Sequence, residues 1–328
     1  GENYYQDKNI RSGFINRSKK PLFIINILLF VLTFFTTTLS GVGWLNIDPY
    51  QLDNFSKGFT YSFLLLSIIT FHEFGHYFAA RYHKIDVTLP YYIPFPFLFL
   101  NPFGTMGAVI KMRSTNHTRR SLFDVGIAGP IAGWVISLII ITIGFINLPS
   151  IDYLYQIHPE YSNSGIPTTG LTFGYNLIFY LFEKIFSINS KVFIPPMNEI
   201  YHYPFLCTGW FGLLITSLNM MPVGQLDGGH ISYTMFGEKS KYIGYTVFYA
   251  LIFFGVLGVL PLIGININIG SINWLVWALL ILFVIKIKHP PVCNDLEQPL
   301  GTKRVILGWF SYFIFLVSFC PIPISDGF

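Results

Sequence analysis

Residues Gly58–Ala80 read GFTYSFLLLSIITFHEFGHYFAA. A membrane-crossing helix needs roughly 20 mostly apolar residues, and this run has them. Yet it carries His72, Glu73 and His76 within little more than one turn. An ionisable side chain in hydrocarbon costs about 2.5 kcal/mol or more, so three together demand a strong chemical reason. On a helix His72 and His76, at i and i+4, leave the same face, and both imidazoles reach one tetrahedral Zn2+. Glu73 sits one position round, beside the metal, where its carboxylate can take a proton from metal-bound water. The plainer alternative is a structural polar cluster, with Glu73 hydrogen-bonded to a neighbouring span.

The rest of the chain agrees with a span at this position. Of 328 residues, 52% are hydrophobic and only 11% charged, against about 25% charged in an ordinary soluble domain. The charges fall in clumps between long apolar runs, which excludes disordered, collagen-like and small secreted classes and points to a polytopic membrane protein. Seven stretches could cross a bilayer: 21–43, 58–80, 122–148, 204–222, 241–264, 272–287 and 304–325. The expected fold class is therefore an all-α polytopic transmembrane bundle of about six to seven spans, with the lipid bilayer as its solvent. Polar residues 1–20, with Lys19 and Lys20 next to the first run, suit an uncleaved first span.

Basic residues set the orientation. Segment 1–20 carries Lys8, Arg11, Arg17, Lys19 and Lys20, and 81–121 carries Arg81, Lys84, Lys111, Arg113, Arg119 and Arg120. With Lys239, Lys241, Lys286, Lys288, Lys303 and Arg304, alternate loops hold 17 of the 20 basic residues. The positive-inside rule makes that side cytoplasmic, which places the N-terminus inside and, after seven spans, the C-terminus outside. The net charge of +4 thus reads as topology, and no basic stripe suggests nucleic acid. Cys207, Cys293 and Cys320 are too scattered for a disulfide framework or a paired metal site and read as small packing residues. No oligomeric state is read from the chain.

Two connecting segments are too apolar for plain loops. In 89–112, Pro90, Pro94, Pro96, Pro102, Gly104 and Gly107 forbid a spanning helix, and irregular backbone at membrane depth must be sheltered by protein or line a wet cavity. A small re-entrant β-hairpin fits, with Met106–Met112 as its best strand. Its edge at Gly107, Ala108, Val109 and Ile110 is the expected place for an extended substrate segment to add as a strand. The outer segment 149–203 holds Asp152, Glu160 and a turn-rich run, then an expected amphipathic helix near 171–187, with no evident catalytic residue. The layout is a cytoplasmic segment 1–20, one membrane-embedded domain 21–325 with its core at 58–230, and a tail 326–328.

A catalytic zinc site needs a third protein ligand and an open fourth position. Outside the HEFGH motif, Asp227 is the outstanding embedded acid. It lies 12 residues from Lys239, as His76 lies 8 from Lys84, so helical rise sets both at comparable depth. An Asp before Gly228-Gly229 is commonly a turn residue; paired with the motif at matching depth, Asp227 is the preferred ligand. His230, three residues on, is a loop residue or a supporter of the metal site. His83, His117, His158 and His202 lie in or beside loops, and no role is read for them.

These residues resemble the site-2 protease family of intramembrane zinc metalloproteases. The match is carried by HEFGH at 72–76 and by Asn219-Met220-Met221-Pro222 followed by Leu226-Asp227-Gly228. Gly126-Ile127-Ala128-Gly129-Pro130-Ile131-Ala132-Gly133 is similar to the family's glycine-rich third core span, where Gly126, Gly129 and Gly133 read as close-packing positions. Gly209-Trp210, the run Gln225–His230, Gly104–Gly107 and His289-Pro290-Pro291-Val292 are similar to a bacterial and plastid branch; no physical reason for the His289 motif is evident. No segment resembles the PDZ domain that some members carry. The resemblance implies that His72, His76 and Asp227 hold one zinc, that Glu73 is the general base, and that Asn219 donates to the oxyanion; Asn219 otherwise reads as an interhelical hydrogen bond. It also implies cleavage of transmembrane protein substrates in regulated intramembrane proteolysis, with the protein in a bacterial cytoplasmic membrane.

Two other classes stay open on sequence alone. A cation transporter or channel can use the same carboxylate and histidines as an ion pathway. A catalytically silent relative can keep the fold and bind membrane partners.

Overall fold

A computed structural model describes residues 23–98, 101–113, 118–188, 192–265, 269–291, 293 and 295–327. The expected cytoplasmic segment 1–20, His117, Val292 and residue 328 of the expected tail lie outside them. In chain order the helices are α1 (Phe23–Trp44), α2 (Phe59–Tyr82), α3 (Arg119–Ile146), the short α4 (Asp152–Ile157) and α5 (Tyr161–Ser164), and α6 (Leu177–Ser187). There follow α7 (Pro204–Asn219), α8 (Asp227–Phe236), α9 (Ser240–Leu257), α10 (Asn273–Leu280) with a π-turn to Ile285, and α11 (Thr302–Ser318). Strands β1 (Tyr91–Pro94) and β2 (Thr105–Val109) form one antiparallel pair, and β3 (Gly170–Phe173) and β4 (Ile324–Gly327) another.

The burial pattern of α1 is inverted relative to a soluble helix. It buries Thr33, Thr36, Thr37, Thr38, Ser40 and Gly41 while Phe23, Ile24, Leu28, Val31 and Phe35 lie on the outside. Lipid tails give large apolar groups no reason to turn inward, and small residues let helices approach closely. The inward hydroxyls are satisfied locally: Thr33 and Thr37 each donate to the carbonyl four residues back at 2.7 Å, and Thr37 meets Ser62 of α2 at 2.6 Å. At the centre, α2 and α3 press together where Gly75 faces the Ala128 carbonyl; a Cβ there would stand 2.5 Å from that oxygen. α7 packs against both, burying Trp210 and Phe211 completely.

Among the described residues four helical segments are long and apolar enough to cross a membrane: Phe23–Trp44, Leu52–Tyr82, Arg119–Ile146 and Asp227–Ile263. The stretches expected as spans at 204–222, 272–287 and 304–325 also carry helices, but shorter ones, with α7 at 16 residues and α11 at 17.

Three local expectations change. The helix expected near 171–187 starts at Leu177, because Asn176 caps it by accepting from the Phe179 N–H at 2.8 Å. Residues Gly170–Phe173 instead form β3. The stretch 304–325 is helical only to Ser318; Pro321 and Pro323 cannot continue the helix, and Ile324–Gly327 pair with β3, so residues 326 and 327 of the expected tail are strand. The strand expected at Met106–Met112 is Thr105–Val109, with Met112 in a separate bridge to Val87. Its partner β1 shifts register between Tyr92 and Pro94, where proline has no N–H to give the ladder.

Candidate metal centre

The long α2 presents His72 and His76 one turn apart, both buried. Their Nε2 atoms lie 3.1 Å from each other, and Oδ2 of Asp227 lies 3.4 Å from each. Asp227 is the first residue of α8, where the N-terminal end of the helix favours a carboxylate. It reaches that place because α7 stops at Asn219 and the chain folds back through residues 220–226. A Cβ on Gly228 would stand 2.0 Å from the Met220 carbonyl oxygen, so the backfold needs glycine there.

The neighbours of the triad settle which nitrogen faces inward. His76 Nδ1–H donates to the Val125 carbonyl of α3 at 2.7 Å, which leaves Nε2 with its lone pair toward Asp227. α3 also shapes the cavity for both rings. A Cβ on Gly129 would fall 2.2 Å from His76 Nε2, and one on Gly133 would fall 3.3 Å from His72 Nδ1. The glycine-rich span therefore packs against the imidazoles themselves, closer to the chemistry than helix packing alone requires.

Glu73 is buried beside the triad without belonging to it. The backbone of Ile110 lies close to its carboxylate, which brings the end of β2 to this acid. Lys111 accepts from Thr88 N–H and Arg113 N–H donates to Asp86 O, so odd-numbered positions here turn their backbone toward the β1 side. By strand alternation Ala108 and Ile110 turn theirs to the opposite edge. Gly107, Ala108, Val109 and Ile110 thus run past Glu73. Asn219 ends α7 half-buried, and among the described residues its carboxamide has no hydrogen-bond partner, in the triad or elsewhere.

Sequence spacing gave no sign of some neighbours. His230, on the first turns of α8, donates from Nδ1 to His289 Nε2 at 2.6 Å, and His289 Nδ1 donates to the Pro290 carbonyl. Tyr233 stacks on His289 at 4.3 Å. Burial lowers the His289 pKa below the ordinary imidazole value, against a smaller opposing pull from the Pro290 carbonyl, and a neutral ring suits this donor–acceptor chain. The HPP motif thereby gains a physical account: it braces the helix that begins with Asp227.

A family model described as peptidase family M50 matches residues 60–260, well over half of the chain and both halves of this site. The chain belongs to peptidase family M50. It is 27% identical to probable zinc metalloprotease EGY1, chloroplastic, of Oryza sativa subsp. japonica, over 92% of this chain and 50% of that one. Its Arabidopsis thaliana counterpart is 27% identical over 79% of this chain and 42% of its own length. Probable zinc metalloprotease EGY2, chloroplastic, of Oryza sativa subsp. indica is 25% identical over 90% of this chain and 50% of that one. The M50 chain thus spans about half the length of these curated relatives.

The donor set fits zinc. Metal–ligand bonds of about 2.0–2.1 Å in a tetrahedron separate the ligand atoms by about 3.4 Å, close to the 3.1 and 3.4 Å found between the three donor atoms. Two neutral imidazoles and one carboxylate leave one position open, the ligand count of a catalytic rather than a structural site.

Proposed function

We propose that this chain is a zinc-dependent intramembrane endopeptidase that hydrolyses peptide bonds within or near transmembrane segments of protein substrates, in regulated intramembrane proteolysis. The observation that carries this is the convergence of His72, His76 and Asp227 with Glu73 alongside, in a chain of the M50 family. His72, His76 and Asp227 would hold the ion, which when bound polarises a carbonyl and acidifies water.

The remaining roles belong to the chain's own groups. Glu73 accepts the proton of the attacking water and later delivers it to the departing amine nitrogen. The free carboxamide of Asn219 donates to the substrate oxygen as charge develops on it. A transmembrane helix hides its peptide bonds in its own ladder, so the substrate must first be drawn out. The outward edge of β2 at Gly107–Ile110 receives it as an added strand, and the Ile110 contact to Glu73 brings that strand next to the base. Of the other classes, a cation pathway is disfavoured because the ionisable groups His72, Glu73, His76 and Asp227 of α2 and α8 gather at one point instead of forming a file along the helices. A silent relative is disfavoured because base and ligands are all present.

The same reading makes β1–β2 a re-entrant hairpin and places seven crossings within one embedded domain, 21–325, with core 58–230. The N-terminus lies in the cytoplasm of a bacterium and the protein in its cytoplasmic membrane; the relatives above are named chloroplastic. The test is incubation of detergent-purified protein, wild type beside Glu73→Gln, with a broad panel of single-span substrates and mass spectrometry of the fragments. Glu73→Gln is expected to keep its metal and lose cleavage by about 10²–10⁴-fold. No Glu73-dependent fragment across the panel sinks the enzyme reading.

A further inference from the structure

A second cluster of donor atoms lies at the opposite end of the helices. It gathers where α1 ends at Trp44, where α4 follows α3, and where α7 begins: His158, Glu199 and His202. His158 Nε2 and His202 Nε2 are 3.0 Å apart, and Glu199 Oε2 is 3.5 Å from His202 Nε2. These spacings parallel those of the His72–His76–Asp227 centre, and the donor types, two imidazoles and a carboxylate, are the same.

The surroundings fix which atoms point inward. His202 Nδ1–H donates to the Trp44 carbonyl at 3.0 Å, and His158 Nδ1–H donates to Glu160 Oε1 at 3.0 Å. As neutral imidazoles both rings therefore turn a lone pair on Nε2 toward each other. A carboxylate or carbonyl behind each imidazole is the arrangement that orients and strengthens a metal-ligating histidine. Glu199 is held the same way: Tyr161 Oη–H donates to its Oε1 at 3.1 Å, while its Oε2 has no hydrogen-bond partner. Glu199 is only 1% exposed and His202 not at all, so that oxygen has no water to fall back on. Three acceptors thus converge in a buried space with no donor among them, an arrangement that buried polar groups avoid unless a cation sits between them. The His158 side chain, 14% exposed, leaves a way in.

We propose that His158, Glu199 and His202 form a second metal site, for a divalent transition ion of the zinc class, which ties the outer segment to the ends of α1 and α7. Imidazole and carboxylate donors suit zinc and its neighbours in the first transition row. The site is independent of the proteolytic centre and of the function proposed for it.

The test is metal content per chain by mass spectrometry on monodisperse detergent-purified protein loaded with Zn2+ and dialysed. Wild type is expected to hold two ions, and His72→Ala/His76→Ala to hold one. His158→Ala and Glu199→Gln are each expected to hold one and to keep Glu73-dependent cleavage if wild type shows it. One ion in wild type with none in His72→Ala/His76→Ala overturns the proposal and means a shared proton holds the cluster together. An unchanged count in both His158→Ala and Glu199→Gln overturns it as well. Should the outer-site variants fail to fold, the count in wild type and in His72→Ala/His76→Ala decides by itself.

Discussion

Gly129 shows how little room the metal centre leaves. A methyl group there would stand 2.2 Å from the Nε2 of His76, far inside contact distance, and that nitrogen is one of the three donors. Gly129→Ala is therefore expected to push the ring off the other two and lower metal affinity by at least 10–100-fold, the range seen when the groups orienting a ligand are lost. Gly133→Ala, at 3.3 Å from His72 Nδ1, should cost less. Dialysis against a graded chelator series with metal readout ranks the two variants; Gly129→Ala retaining metal like wild type would show that His76 has slack. HEFGH could be read from spacing because i,i+4 geometry is local. Asp227 was reachable through depth and charge. The purpose of Gly129 was not, since it depends on which face of α3 meets α2. The His230–His289 pair was equally hidden, being 59 residues apart.

At the scale of elements the hairpin carries the sharpest test. Val109 stands opposite Tyr91 and turns its backbone toward β1, whereas Ala108 turns its own to the open edge. Proline at these neighbours therefore does different damage. Ala108→Pro removes an outward N–H and should reduce cleavage more than tenfold with metal content and thermal stability near wild type. Val109→Pro removes an inward N–H and should lower both cleavage and stability by loosening β2 from β1. Equal cleavage by wild type and Ala108→Pro in the fragment assay would rule out strand addition at this edge. The hairpin was legible because six prolines and glycines forbid a helix through it. The β3–β4 pair was not, because Gly170 and Gly327 are joined by no turn and carry no local pairing signal. The overlong helix expected near 171 shares that cause: its apolar residues suited a helix, but the cap at Asn176 and the distant partner strand decided where it began.

The whole molecule has two chemically different ends. The β3–β4 pair holds the C-terminal strand against the outer segment, and the His202 ring reaches the last residue of α1. At the other end Arg304 of α11 grips Asp124 of α3 at 2.7 and 2.8 Å, with His83 at the close of α2 on the same carboxylate. The number of crossings rests on the pair α9 and α10. Helix α9 continues through a helical turn to Ile263 and is ample for a hydrocarbon core of about 30 Å. Helix α10 with its π-turn runs only from Asn273 to Ile285, about 20 Å at helical rise. It spans only if the bilayer thins or neighbouring helices shelter its ends. Single cysteines in a Cys293→Ser background decide it, since Cys207 and Cys320 are buried. Lys57→Cys, Asn163→Cys and Ile265→Cys should react with a membrane-impermeant maleimide in intact cells. Lys239→Cys, Lys288→Cys and Lys303→Cys should react only after permeabilisation. Labelling at 265 that requires permeabilisation would remove two crossings and make α9 and α10 a cytoplasmic-side hairpin, while leaving the orientation of the other spans unchanged. Labelling of 239 from outside would invert the molecule and with it the face from which a substrate is cut.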